Sequence, residues 1–193
     1  MVGSPFDSDR LDWRRTGDGG RGHNNHYIGG GLGGVEILSP AGNPEGLAAA
    51  IKGGCDAVYL AGKSFGARAF AGNFTDRELE GAIGYAHDRH VKVHVAVNTS
   101  ILNREMDEAV SFVRFLRDID ADAVLIQDLG LLKAVSGIDI PKHASTQMQI
   151  HSLKGLEWCA EQGLDRAVLA RELTLEELAG IVPDSPIETE VFI

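Results

Sequence analysis

From Val35 to Ile193 the chain alternates short aliphatic, β-branched runs with longer stretches whose apolar residues recur every three or four positions. Short continuous apolar runs mark buried strands, and the 3.6-residue period marks amphipathic helices. The first strand is expected over residues 35–38, followed by Ser39-Pro40-Ala41-Gly42 as a turn. Asn43 suits a helix N-cap with Pro44 at the first helical position. Leu47, Ala50 and Ile51 form the buried stripe of that helix, and Gly53-Gly54 ends it.

The second strand is expected over 57–60. Thr75 with Glu78 three residues on forms a capping box for the next helix, which ends near His90. Residues 91–97 form the third strand, with Val91, Val93, Val95 and Val97 on one face. Asn103 is placed as the cap of a long helix in which Met106, Ala109, Val110 and Val113 share a face. Further strands are expected over 123–126, 143–148 and 167–170. Asp128 caps a short helix, Ser152 starts another that ends at Gly163, and Thr174 with Glu177 makes a second capping box. A seventh apolar run spans 187–193.

Strands alternating with helices specify a parallel α/β architecture. The expected fold is a TIM-like (β/α) barrel, incomplete, with six βα units and a begun seventh strand. A full barrel takes about 200 to 250 residues or more, whereas residues 35–193 supply 159. An open doubly wound parallel sheet also fits that length. An incomplete barrel would expose two strand edges, which invite a partner chain to complete it.

Residues 1–34 read differently. They hold 10 of the 24 glycines, four Asp and four Arg, and no strand or helix period. They are expected to be a disordered Gly-rich tail or upstream sequence outside the true reading frame. Residues 35–193 form one domain and carry the whole net charge of −10.

That acidity argues against a broad electrostatic surface for nucleic acid or anionic membrane, though not against a local basic pocket. No apolar run reaches the 18 or so residues of a spanning helix, and residues 1–12 lack the apolar core of a signal peptide. Cys55 and Cys159 are too few for a disulfide scaffold or a metal cluster. The expected compartment is the cytoplasm.

Chemistry in parallel α/β folds collects at strand C-terminal ends. Those ends offer Asn43; Lys63, Ser64 and Arg68; Asn98 and Thr99; Gln127 and Asp128; Ser145, Thr146 and Gln147; and Arg171 and Glu172. Such a ring of amides, hydroxyls and cations suits a polar or anionic group. It contains no metal triad and no Ser-His-Asp elbow.

Simpler roles compete at several positions. Asn43 and Asp128 serve as helix caps, and Arg171 with Glu172 can form an ion pair at the rim. Alternation puts His143, Ser145 and Gln147 on one face, where His143 can equally be a hydrogen-bonded interior residue. His94 reads as a buried structural histidine. Three other signals carry little. The run from Gly29 to Gly34 precedes a strand, so it is no dinucleotide loop. His23 and His26 lack a second ligand pair. Lys63 and Lys142 lack the apolar strand interior that a Schiff-base lysine needs.

The ordered motifs Ile37-Leu38-Ser39-Pro40-Ala41-Gly42-Asn43, Asp56-Ala57-Val58-Tyr59-Leu60, Phe65-Gly66-Ala67-Arg68 and Ala71-Gly72-Asn73-Phe74 are distinctive together. Gln127-Asp128-Leu129-Gly130, His143-Ala144-Ser145-Thr146-Gln147-Met148 and Val168-Leu169-Ala170-Arg171-Glu172-Leu173 continue the set. In this order they resemble the collagenase-like peptidases, a family of unassigned catalytic type, across residues 35–193.

The resemblance implies a barrel-like domain and peptidase activity. It also implies a wider family linked to hydroxylation of transfer RNA, ribosomal RNA or quinone precursors, some members carrying an iron–sulfur cluster. In the family the strand matching Glu190-Val191-Phe192-Ile193 runs into a His-Gly segment and then a set of cysteines. Cys55 and Cys159 do not match those cysteines, so no cofactor is expected here and a cluster only in a longer form.

Three functions follow as expectations. The first is a peptidase-family hydrolase acting on a peptide or other polar substrate, bound by Arg68, Gln127, Ser145, Gln147, Arg171 and Glu172, with no nucleophile assigned. The second is a hydroxylation-linked protein acting on RNA or a quinone precursor. The third is a non-catalytic fragment. No membrane partner is expected.

Overall fold

The computed structural model describes residues 34–67 and 72–193. The expected tail over 1–34 and the candidate Arg68 therefore lie, apart from Gly34, outside the described residues. Strand β1 (Leu38–Pro40) leads to α1 (Pro44–Lys52), β2 (Ala57–Ala61), α2 (Asp76–His87), β3 (Lys92–Val97) and α3 (Met106–Asp118). Then come β4 (Ala123–Ile126), α4 (Leu129–Ala134), β5 (Lys142–Ala144), α5 (Leu153–Glu161), β6 (Arg166–Val168), α6 (Leu175–Ile181) and β7 (Glu188–Glu190).

Every strand pairs in parallel with its neighbour in sequence, in the order β1 to β7. A doubly wound sheet requires the strand order to reverse at a switch point. No reversal occurs among the described strands, so the open-sheet alternative falls. The sheet is the curled part-barrel expected from the alternation.

Alternate side chains sort the two faces of this sheet. Val93, Val95 and Val97 of β3, with Val124 and Ile126 of β4, turn outward into the helix-covered core. There they pack with Leu79, Ile83, Val113 and Leu116, all buried. Burying one such aliphatic side chain contributes about 1.5–3 kcal/mol. Lys92, His94 and Ala96 occupy the other, concave face.

Local chemistry fixes most helix starts. Thr75 and Glu78, and again Thr174 and Glu177, form reciprocal capping boxes. Asn43, Asp128 and Ser152 accept from the backbone N–H groups of Gly46, Leu131 and Gly155. Gly54, at φ +85°, provides the left-handed turn after α1.

Several boundaries differ from the sequence reading: β6 and β7 are shorter than the runs 167–170 and 187–193, and three further differences have a local cause. β1 starts at Leu38 because Ile37 N donates to the Asp56 carboxylate at 2.8 Å, leaving residues 35–37 outside the strand. It continues through Pro40 because Ala41 N reaches Tyr59 O at 3.0 Å. The Pro40 nitrogen then faces the free edge, where no donor is required.

Asn103 does not cap α3. The N-cap is Glu105, whose carboxylate instead accepts from Leu102 N at 3.0 Å, closing a turn before the helix. The strand expected over 143–148 stops at Ala144. There Ser145 Oγ accepts from Gln147 N at 3.3 Å, and Thr146–Met148 forms a 3-10 turn ending at Gln149, φ 58°. A side chain that hydrogen-bonds its own backbone two residues on offers an alternative to the ladder.

One end of the concave face is charged. Arg166 donates from Nη1 to Glu36 at 2.7 Å, and from Nε and Nη2 to Glu188 at 2.9 and 2.6 Å. Lys92 Nζ donates to the other Glu36 oxygen at 2.7 Å. Burial alone would raise the Glu36 pKa, but these two cations hold it at about 2.

Candidate functional site

Above this cluster, at the C-terminal ends of the strands, the concave face opens into a cavity of about 130 Å³. Its walls are small or apolar: Pro40 from β1, Ala61 from β2, Ala96 from β3, Leu125 from β4 and Val168 from β6. Tyr59 and Asn73 also line it. Polar groups crowd its mouth. Asn98 Nδ2 donates to Ser145 Oγ at 3.1 Å, while Asn98 Oδ1 accepts from Ala67 N at 3.0 Å. Asn98 thereby ties the loop after β2 to the turn after β5.

Arg171 lies across the ring of Phe192, 4.1 Å from its centroid. A guanidinium so placed is attracted by the ring face, by about 0.5–1 kcal/mol where exposed. Together the two side chains make a flat, partly cationic cover. Gln147, on the turn after β5, lines the same opening.

Of the residues named from the sequence, Ser145, Gln147 and Arg171 line the cavity, and Asn98 and Thr146 of the wider polar ring join them. Gln127 is directed elsewhere, its Nε2 donating to Ser100 Oγ at 3.0 Å. Glu172 is exposed and stands outside the lining. Asp128 spans two jobs, capping α4 and accepting from Ile101 N at 3.1 Å.

Lys63 Nζ donates to Gly72 O. Lys142 is buried and donates to Ile138 O and Ile140 O, both at 2.8 Å, so its amine secures a chain turn. His94 and His143 meet edge to face at 4.8 Å, each with Nδ1 buried and unbonded. Burial lowers His94 to about 4. It lowers His143 to about 3, with His94 adding a smaller push, so both are neutral near pH 7.

Four polar or aromatic lining residues escaped the sequence reading: Tyr59, Asn73, Glu190 and Phe192. Strand periodicity held a usable sign for two of them. Tyr59 sits between Ala57 and Ala61 on one face of β2, and Glu190 shares a face with Glu188 at the start of the apolar stretch Val191-Phe192-Ile193. The Glu190 Oε2 atom is buried without a hydrogen bond among the described residues. Arg166 Nη1 stands 3.6 Å from it, close enough for an ion pair but too far for a hydrogen bond.

The two cysteines do not suit an iron–sulfur cluster. Both are buried, and burial raises the Cys55 thiol and pushes Cys159 up to about 11. Metal ligation requires the opposite shift, toward thiolate. Among the described residues no group of three or more His, Cys, Asp or Glu could hold a metal ion. No described helix is long and apolar enough to cross a membrane.

Residues 42–193 match the family described as Peptidase family U32. The chain is 32% identical over 160 residues to tRNA hydroxylation protein P1 of Bacillus subtilis, covering 82% of this chain and 38% of that protein. It is 34% identical over 162 residues to the 23S rRNA 5-hydroxycytidine C2501 synthase of Escherichia coli, covering 82% and 24%. A collagenase of Porphyromonas gingivalis is 31% identical over 147 residues, covering 76% and 35%. The chain thus spans well under half the length of these relatives. Among solved structures, a U32 peptidase superposes with a TM-score of 0.70 at 15% identity, over 88% of this chain and 73% of that one.

Proposed function

The chain belongs to peptidase family U32, and from that premise we propose that it is the substrate-binding part-barrel of a protein supporting RNA hydroxylation. The observation that carries this reading is the cavity mouth, where side-chain amides and a guanidinium on an aromatic ring surround a small apolar hollow. Single bases are recognised by stacking on aromatic or guanidinium planes and by hydrogen bonds to their edges. Arg171 on Phe192 supplies the plane, and Gln147 and Asn98 supply donors and acceptors. Ser145 fixes Asn98 in place. The names of the hydroxylation relatives support the same direction.

Peptide hydrolysis by a serine would need a base within hydrogen-bond reach of the nucleophile. Ser145 Oγ accepts from Asn98 and from Gln147 N, and among the described residues no imidazole hydrogen-bonds it. No hydrolytic step is therefore assigned to it. The collagenase relative nevertheless favours a second reading, in which the same cavity and the sequence-named residues bind a peptide for hydrolysis.

Both readings place the protein in the cytoplasm. The free edges of β1 and β7 would take further strands, from a longer form of this chain or from a partner. An iron–sulfur group would need ligands other than Cys55 and Cys159, so no step is routed through one.

Nucleoside mass spectrometry of total tRNA and rRNA from cells lacking the gene tests the proposal. A hydroxylated nucleoside should disappear and return with a plasmid copy. An unchanged nucleoside profile would overturn it, and gelatin or peptide cleavage by the purified full-length protein would then favour the second reading.

A further inference from the structure

Three carboxylates, those of Glu36, Glu188 and Glu190, surround two cations, Arg166 and Lys92, on the concave face. All the short contacts are taken by the first two acids. Arg166 uses Nη1 for Glu36 and Nε and Nη2 for Glu188, and Lys92 binds Glu36. Among the described residues Glu190 is left with one ion-pair contact, at 3.6 Å, and a buried oxygen without a hydrogen bond. His94 of β3 and His143 of β5, on the same face, are neutral near pH 7 and offer no charge, while Tyr59 and Arg171 line the cavity together with Glu190.

Glu190 alone of these five groups also lines the cavity. Its backbone is held in register, paired with Val168, and its carbonyl accepts from Leu169 N at 2.8 Å. The residue is therefore fixed at the wall of the hollow, in a cluster of three acids and two cations, and its Oε2 is one hydrogen bond short among the described residues. Buried acceptors left in this state are costly, and a donor arriving from the cavity would remove the cost.

We propose that Glu190 selects planar ligands that enter the cavity led by a fork of N–H donors, as an amidine or the amino edge of a heterocycle does. A carboxylate accepts such a fork through two parallel hydrogen bonds. A ligand led by a carboxylate or a bare carbonyl would instead meet like charge or a second acceptor. This inference rests on reading the cavity as the substrate site, and it names the edge of the substrate that enters first.

Burial raises the Glu190 pKa against the opposing pull of Arg166. Ligand binding by the N–H fork should therefore weaken as pH falls and Glu190 takes up a proton. Arg166, Lys92 and Glu36 hold their charges through neutral pH, while His94 and His143 gain charge only in acid.

The test uses three nearly isosteric probes with the whole chain: benzamidine, benzamide and benzoate, titrated by calorimetry at pH 7 and followed by NMR. Benzamidine should bind at least about tenfold tighter than benzoate, a gap of about 1.4 kcal/mol, with benzamide between them. Glu190→Gln should erase most of that preference while leaving the unfolding midpoint close to wild type. Benzamidine affinity of the wild type should fall toward acid pH, and that of E190Q should not.

Equal binding of benzamidine and benzoate, wild-type preference in E190Q, or no binding of any probe would each overturn the proposal. The wild-type pH profile keeps the test decisive if E190Q folds poorly. Probe selectivity together with an unchanged nucleoside profile would sink the RNA reading alone.

Discussion

His94 and His143 are two imidazoles kept neutral by burial at a ring separation of 4.8 Å. The unfolded chain binds protons at these positions near pH 6.5, whereas the folded chain does so only near 4 and 3. Both folded values lie below the unfolded one, so stability is complete above about pH 6.5 and declines as pH falls. By pH 5 each histidine should cost about 2 kcal/mol. Urea unfolding at pH 7 and pH 5 measures the difference, and His94→Gln should remove roughly half of it. Equal stability at the two pH values would rule out the effect.

Arg171 offers the contrasting case. Its contact with Phe192 is at the surface, so Arg171→Ala should lower stability by no more than about 1 kcal/mol. The same change should weaken benzamidine or nucleoside binding several-fold, because the cover of the cavity is lost. Such residues are hard to read from sequence. Arg171 could be named because it follows a strand. Its ring partner comes from β7's far end, and no local spacing links positions 171 and 192.

Among the elements, α2 and α6 begin with the same capping box but have different neighbours. α2 buries Leu79, Ala82, Ile83 and Ala86, whereas no residue of α6 is buried. Thr75→Ala should therefore cost about 1 kcal/mol of global stability, visible as a lower denaturation midpoint. Thr174→Ala should leave that midpoint nearly unchanged and instead speed amide exchange within α6. Equal effects in both assays would mean that α6 is bound to the core more tightly than its exposure suggests.

These caps were legible because each needs only two residues three positions apart. Asn103 failed as a cap because Glu105 formed a competing turn with Leu102, two residues nearer the helix. The β5 boundary failed for a related reason. Ser145, Thr146 and Gln147 have acceptable strand propensities, but the Ser145 hydroxyl bends the chain back onto Gln147. Apolar period finds where an element is buried and leaves local side-chain turns unseen.

At the scale of the molecule, the alternation of strands and helices gave the parallel order, and the structure adds the charged interior. Arg166→Leu would strand the partly buried Glu36 and Glu190 without their guanidinium and release the exposed Glu188. It should cost about 3–5 kcal/mol, measured as a fall in unfolding free energy, whereas replacing an exposed pair such as Lys154–Glu157 should cost less than about 1 kcal/mol. Glu36, held near 2, contributes stability above about pH 4.5 that disappears as pH falls toward 2. None of this cluster could be placed from sequence, since Glu36 and Arg166 meet only once the sheet has curled.

That meeting joins positions 130 residues apart, while every strand otherwise pairs with the one made just before it. A chain emerging from the ribosome can therefore add its strands one at a time, each new one docking on an edge already present. The Glu36 carboxylate must wait beside Lys92 until β6 appears and delivers its guanidinium. The arrival of Arg166 is then the event that ties the beginning of the sheet to its end and makes the assembly cooperative.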